Sequence, residues 1–385
     1  MKRILVDGAM LLFAVSLVSS WILLGKIETQ RRDVENELSE RRVPSEPMMA
    51  PTQPEGIDSS YFETNVRQLI QIETMADVEE KRRNLVSFLW DKTKLPVYVA
   101  KVVIRGHKDR KYKKIQNLSR IDMLSVVMEF NLVSTIYHFI PKHGNGNVIL
   151  YHQGHLGDFH FGKHVIQEFL KKGYSVLAFS MPLLGENNKT DVYLERFGVL
   201  RVEKHNHMKF LTPWEGHPLQ YFVEPVTQAI NYLDENYEYS VIAMTGISGG
   251  GWTTTISAAI DPRIIASFPV AGTMPIYLRS KVPEDWGDWE QTVPEFYQIA
   301  NYLELYVLGA SGLGRKQLQI LNVHDECCFN GFKSQTYGSA VRSTVQEVGK
   351  GEYDLFLDVS HDEHKISNIA IDVIDQEIQK LSNSF

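Results

Sequence analysis

Residues 241–260 run from an apolar stretch, "VIAMT", through the glycine-rich "GISGGG" into "WTTTISAAI". A short β-rich run that passes through clustered glycines straight into a helix-forming segment has few folding options. It can cradle a phosphate, bind a dinucleotide, or lift one side chain on a sharp elbow. A phosphate loop requires a lysine and a hydroxyl residue in register after the glycines, and neither "GKS" nor "GKT" follows here. The dinucleotide fingerprint G-x-G-x-x-G does not match Gly246–Gly251. What fits is G-x-S-x-G, as Gly246-Ile247-Ser248-Gly249-Gly250. In that pattern the serine stands on a strained strand-to-helix turn, where side chains two positions before and two after would collide. The helix that follows aims its free N–H groups at the serine and favours developing negative charge.

The surroundings of this turn alternate in the same way. "MLSVVMEF" and "LVSTIYHFI" read as a strand pair, followed by "VILYHQG" (strand), "GKHVIQEFLKKG" (helix), "SVLAFSMP" (strand) and "LQYFVEPVTQAINYLDENY" (helix). Beyond the glycines come "IIASFPVAG" and "LQILNVHDE" as strands, "SAVRSTVQEVGKG" as a helix, "YDLFLDVS" as a strand and "ISNIAIDVIDQEIQKL" as a helix. Near-continuous apolar strands alternating with helices predict an α/β domain, with a mostly parallel central sheet covered by helices on both faces. Two connections are much longer than usual, residues 184–218 and 274–305, and are expected to form lid-like insertions.

The N-terminus is of another kind. "MKR" precedes an uncharged run of 18 residues from Gly8 to Gly25, close to the length that spans a hydrocarbon core as a helix. A cleaved signal peptide is the competing reading, but the run is long for one and no A-x-A site follows. The expected organisation is a transmembrane signal anchor over 1–25, a charged stalk and proline-rich linker over 26–59, and the globular domain over 60–385. The expected localisation is the membrane, single-pass, with the body on the non-cytoplasmic side. A net charge of −7 leaves no basic surplus to neutralise phosphates, so nucleic acid is not expected as a partner. The basic segment "RGHKDRKYKK" reads as a solvated surface.

Ser248 in its strand–turn–helix setting resembles the nucleophile elbow of the α/β-hydrolase superfamily, and the resemblance covers roughly residues 120–385. It implies the order Ser, acid, His. "LQILNVHDECCF" places Asp325 just past a strand, where the family keeps its acid, with Glu326 as the competitor. "YDLFLDVSHDEHKIS" offers His361 and His364 at the end of the last strand. His364 matches the His-x-Ile-Ser of family esterases, while His361 lies closer to the strand end. The oxyanion hole of the family takes one N–H from the residue after the nucleophile, here Gly249, and a second from the loop after an early strand. "VILYHQGHLGDF" is that loop by position, but it reads Gln153-Gly154-His155 and so departs from the family segment. The His155 N–H is expected as the second donor, with the Gly154 N–H as the alternative.

The resemblance implies a serine esterase acting through an acyl-enzyme, without metal or organic cofactor, on a small-molecule or saccharide ester. An amidase or peptidase using the same residues, or a hydrolase-like binding protein with a dead site, are the alternatives. "HDEH" lacks the H-E-x-x-H register of a zinc helix. Cys327 and Cys328 are the only cysteines; neighbouring cysteines rarely reach disulfide geometry, so no bridge is expected. His205 and His207 read as surface residues, and Trp286 and Trp289 as packing inside their own insertion.

Overall fold

The computed structural model describes residues 57, 59–279 and 286–383. The expected anchor, nearly all of the stalk and linker, and residues 280–285 of the second insertion lie outside them. Among the described residues no helix is long and apolar enough to cross a membrane.

Helix α1 (Met75–Trp90) opens the domain, and β1 (Lys101–Ile104), β2 (Leu118–Val127), β3 (Val133–Pro141) and β4 (Asn147–His152) follow. Next come α2 (Lys163–Lys171), β5 (Ser175–Phe179), the strands β6 (Thr190–Leu194) and β7 (Gly198–Val202), the single turn α3 (His205–Met208) and α4 (Gln220–Asn236). Strand β8 (Val241–Ile247) leads into α5 (Gly249–Ile260), then β9 (Ala266–Val270), α6 (Pro294–Ile299) and α7 (Tyr302–Ala310). The chain ends with β10 (Arg315–Asn322), α8 (Gln335–Val348), β11 (Gly351–Asp358) and α9 (Asn368–Ser382).

Among the described residues nine strands form one sheet in the order β1-β2-β3-β5-β4-β8-β9-β10-β11. From β5 to β11 the pairings are parallel, and β1, β2 and β3 add an antiparallel edge. Strands β4, β5 and β9 are buried at every position, as their mostly apolar sequences require. Helices α2 and α9 close one face, where Ile166, Phe169 and Leu170 meet Ile371, Ile374 and Ile378. Helices α4 and α5 close the other: Val226 and Ile230 of α4 pack with Leu150 and Met244 of the sheet. From β4 the chain steps to β5 on one side and then to β8 on the other. The crevice at the carboxyl ends of β4 and β8 is therefore a topological switch point, the place where open α/β sheets bind ligands.

Helix α5 is buried along its whole length, so polar groups within it need internal partners. The hydroxyls of Thr253, Thr254 and Thr255 donate to the carbonyls of Gly249, Gly250 and Gly251 at 3.0, 2.8 and 3.0 Å. At the other end, where carbonyls are left over, two buried arginines donate: Arg82 Nε to Ala259 at 3.0 Å and Arg315 Nη2 to Ala258 at 2.7 Å. Arg315 also reaches the carbonyls of Ile264, Leu308 and Ser311. Burial, and then the nearby Arg82, bring its guanidinium down to about 9, still charged at neutral pH.

Several elements were not read from the sequence, among them β1, the β6–β7 pair and the short helices α3 and α6. Helix α1 was not anticipated: its charged "EEKRR" dilutes the apolar stripe of Val78, Leu85 and Leu89, although the capping box of Thr74 and Asp77 marks its start. The end of the second insertion, expected to be lid-like, continues into α7, which is buried throughout and packs against α5 and α8.

Candidate active site

Ser248 follows β8 directly and has φ +58° and ψ −125°, a positive φ that a residue with a side chain rarely adopts. Its N–H donates to the Val270 carbonyl at 3.0 Å, and its carbonyl accepts the Trp252 N–H at 3.0 Å, so both ends of the bend are fixed. The flanking glycines are required by contact. A methyl at Gly250 would land on the carbonyl oxygen of His152, and one at Gly246 would land on Gly250. Gly154 packs on the elbow from the β4 loop: a methyl there would lie 2.5 Å from the Ile247 oxygen and 2.6 Å from Ser248 Cβ.

Asp325 lies past β10 and is almost wholly buried. Its Oδ2 accepts from His364 Nδ1 at 2.7 Å and from Asn322 Nδ2 at 3.2 Å. Its Oδ1 accepts the N–H groups of Cys327 and Cys328 at 2.8 and 3.2 Å. Burial works against its charge, but His364 and these N–H donors outweigh it and hold the carboxyl below its ordinary range. A carboxylate only accepts, so His364 Nδ1 carries the proton and Nε2 is left with its lone pair, buried and without a hydrogen-bond partner. The competitors stand elsewhere. Glu326 is exposed, and both ring nitrogens of His361 lack hydrogen-bond partners, the ring lying 3.4 Å from Asp358 instead of near Asp325. Asp358 is occupied by Ser360 and Ser367.

Contrary to expectation, Cys327 and Cys328 are bridged to one another. Both backbone N–H groups turn toward Asp325, which bends the chain and sets the two side chains side by side.

The loop after β4 meets the elbow from the other side. The N–H groups of Gly154 and His155 donate to no described residue. The His155 ring lies against Gly249, where an added methyl would fall 2.5 Å from its Cε1 and 2.6 Å from its Nδ1. His155 Nε2 reaches Glu290 Oε1 and Asp288 Oδ2, both at 3.0 Å. His205, expected at the surface, is instead buried against Phe222 and contacts Glu290. His207 stays half exposed near the Arg201 carbonyl. Trp289 packs outside its own insertion as well, edge-on to Phe222, with its indole N–H on the His205 carbonyl at 2.6 Å. Trp286 is 45% exposed. Glu290 and Asp288 went unrecognised in the sequence, and His205 was read as a surface residue, because the single turns that carry them are too short to show a periodic signal. Trp214, 94% exposed, lines a separate cleft of about 570 Å³ with Trp90, Tyr98 and Glu224, which none of these candidate residues enters.

No family model matches the chain, and no curated protein matches its sequence. Solved structures do match its fold. Methylesterase BT1017 has 15% identity over 85% of this chain and 69% of its own length, with a TM-score of 0.58. The acetyl xylan esterase from Paenibacillus sp. R4 has 14% identity over 83% of this chain and 98% of its own, with a TM-score of 0.51. Acetyl xylan esterase 1 from Thermoanaerobacterium sp. JW/SL YS485 has 12% identity over 82% and 97%, again at 0.51. At these identities the likeness is one of fold, and that fold is the α/β-hydrolase fold.

Proposed function

We propose that the chain is a serine hydrolase of carboxylic esters. The reading rests on one observation above the rest: a serine held at positive φ on the β8–α5 elbow, in a fold whose Asp325 holds His364 through Nδ1 and leaves Nε2 bare. In the proposed cycle His364 Nε2 takes the proton of Ser248 Oγ as the oxygen attacks the ester carbonyl, then delivers it to the leaving alcohol. Asp325 keeps the imidazole in one tautomer and stabilises the imidazolium. The N–H of Gly249, with that of His155 or Gly154, receives the oxyanion, and loss of one such donor costs about 10²–10³ in rate. Water then frees the acyl group by the same steps in reverse.

Neighbours of this fold that carry esterase names favour ester over amide as the substrate bond. A short acyl ester, free or on a saccharide, is the substrate class proposed, with residues 1–25 as the membrane anchor. A fluorophosphonate probe tests the nucleophile: the wild type is expected to label at Ser248 and Ser248→Ala to remain unlabelled. Equal labelling of both proteins, or of neither, overturns the reading.

A further inference from the structure

Beside the elbow, four side chains from three distant segments converge: His155 from the β4 loop, His205 from the first insertion, and Asp288 and Glu290 from the second. One donor atom from each lies within 4.8 Å of all the others. Two of the separations are 3.0 Å, and His205 Nδ1 to Glu290 Oε1 is 3.6 Å. Donors about 2.0–2.2 Å from a tetrahedral zinc ion lie about 3.4 Å apart, so the set has the size of a coordination sphere.

The hydrogen-bond chemistry points the same way. His205 Nε2 lies 2.8 Å from the Pro182 carbonyl, which can only accept, so Nε2 carries a proton. In the neutral ring the Nδ1 lone pair then faces a carboxylate oxygen, an arrangement that calls for a positive charge between them. A carbonyl bond that fixes the far nitrogen is also the usual support of a metal-ligating histidine. His155 Nε2 meets a similar excess of acceptors, with two carboxylate oxygens on one N–H. Glu290 is fully buried, its Oε2 has no partner, and the described residues supply it no lysine or arginine. Its backbone is fixed too: the Tyr297 hydroxyl donates to the Glu290 carbonyl at 3.1 Å and accepts the Trp252 indole N–H of α5 at 2.7 Å.

We propose that His155, His205, Asp288 and Glu290 bind a divalent cation of the zinc class, which ties both insertions to the loop beside Ser248. Two neutral imidazoles and two carboxylates balance a 2+ ion, and the mixed nitrogen and oxygen donors suit zinc over magnesium or calcium. Asp288, the most exposed of the four, sits at the rim. The site does not depend on Ser248 being a nucleophile.

The test is metal uptake by the full-length chain, stripped with a chelator and then titrated with Zn²⁺ and, separately, Co²⁺. One equivalent of Zn²⁺ and the intense visible absorption of tetrahedral Co²⁺ are expected. His205→Gln and Glu290→Gln should each weaken affinity by at least the 10–100-fold typical of losing even an outer-shell partner. The double variant Cys327→Ser/Cys328→Ser should keep full uptake, since its sulfurs and His364 form a different grouping. No uptake by the wild type from micromolar Zn²⁺, wild-type affinity in both glutamine variants, or dependence on the cysteines would each overturn the site. Fluorophosphonate labelling of the same samples separates the two proposals: a protein that labels at Ser248 yet takes up no zinc loses the metal site and keeps the hydrolase reading.

Discussion

Two imidazole–carboxylate groups, His364 with Asp325 and His155 and His205 with Glu290, are built on opposite principles. On one side a single carboxylate, Asp325, holds a single ring, His364, and backbone N–H groups satisfy its other oxygen. On the other side one buried carboxylate, Glu290, faces two rings, and a second carboxylate competes for one of them. The first arrangement is complete in itself and leaves one lone pair free, as proton transfer requires. The second has more acceptors than donors and is complete only with an added positive charge. An imidazole beside a carboxylate is therefore not evidence of catalysis. What decides is whether the remaining atoms are satisfied, and which one is left over.

The largest effects should appear on the Asp325 side. Ser248→Ala and His364→Ala are each expected to lower kcat/KM for p-nitrophenyl acetate by at least about 10⁴-fold, because residues that act as a unit fail as one. A loss of that size for His155→Ala instead, with His364→Ala near wild type, would reverse the contrast. Next comes the elbow itself. Gly250→Ala drives a methyl into the His152 carbonyl, so the turn must open and Ser248 must move. A loss of about 10²-fold or more in kcat with the fold retained by circular dichroism is expected, since misplacement by about 1 Å is enough.

How much of this could be read in advance follows the distance along the chain over which each constraint acts. The elbow was legible because its steric rule operates within a few residues, so Gly246, Ser248 and Gly250 carry the whole argument in contiguous sequence. The strands and helices of the sheet were legible through their periodicity. Asp325 and His364 were chosen by family order, and the choice over Glu326 and His361 took on physical content only from burial and the 2.7 Å contact. Nothing local announces Glu290, a fully buried acid between tryptophan and glutamine in a single 3-10 turn, whose partners His155 and His205 lie in segments the sequence keeps far apart. The same holds for Arg315, which the sequence reading did not single out and which spends its donors on carbonyls at the ends of α5 and α7.

Arg315 gives a prediction about the far end of α5. Arg315→Met keeps the apolar stem but strips donors from the carbonyls of Ala258, Ile264, Leu308 and Ser311. The Leu308 carbonyl keeps Arg82 Nη2 at 3.2 Å, but each buried group left without a donor costs about 1–3 kcal/mol, with water entry offsetting part of the sum, so a loss of roughly 2–4 kcal/mol in urea unfolding is expected. A change under about 0.5 kcal/mol would mean that α5 does not need this cap.

The smallest effect concerns pH, and it sharpens the contrast within the Asp325 side itself. His364 and the N–H groups of Cys327 and Cys328 hold the Asp325 carboxyl below its ordinary 3.8 in the folded state. The unfolded chain therefore binds this proton at higher pH than the folded one. The resulting stability is fully present above the ordinary value and is lost as pH falls through the lowered one. Asp325→Asn has no proton to bind and lacks this contribution at every pH. The gap in unfolding free energy between wild type and Asp325→Asn should thus be constant from about pH 5 to 7 and narrow below about 4. Thermal melts across that range measure it, and a gap that holds steady down to pH 2.5 would show that His364 does not stabilise the Asp325 charge, leaving the ring without the partner that orients it.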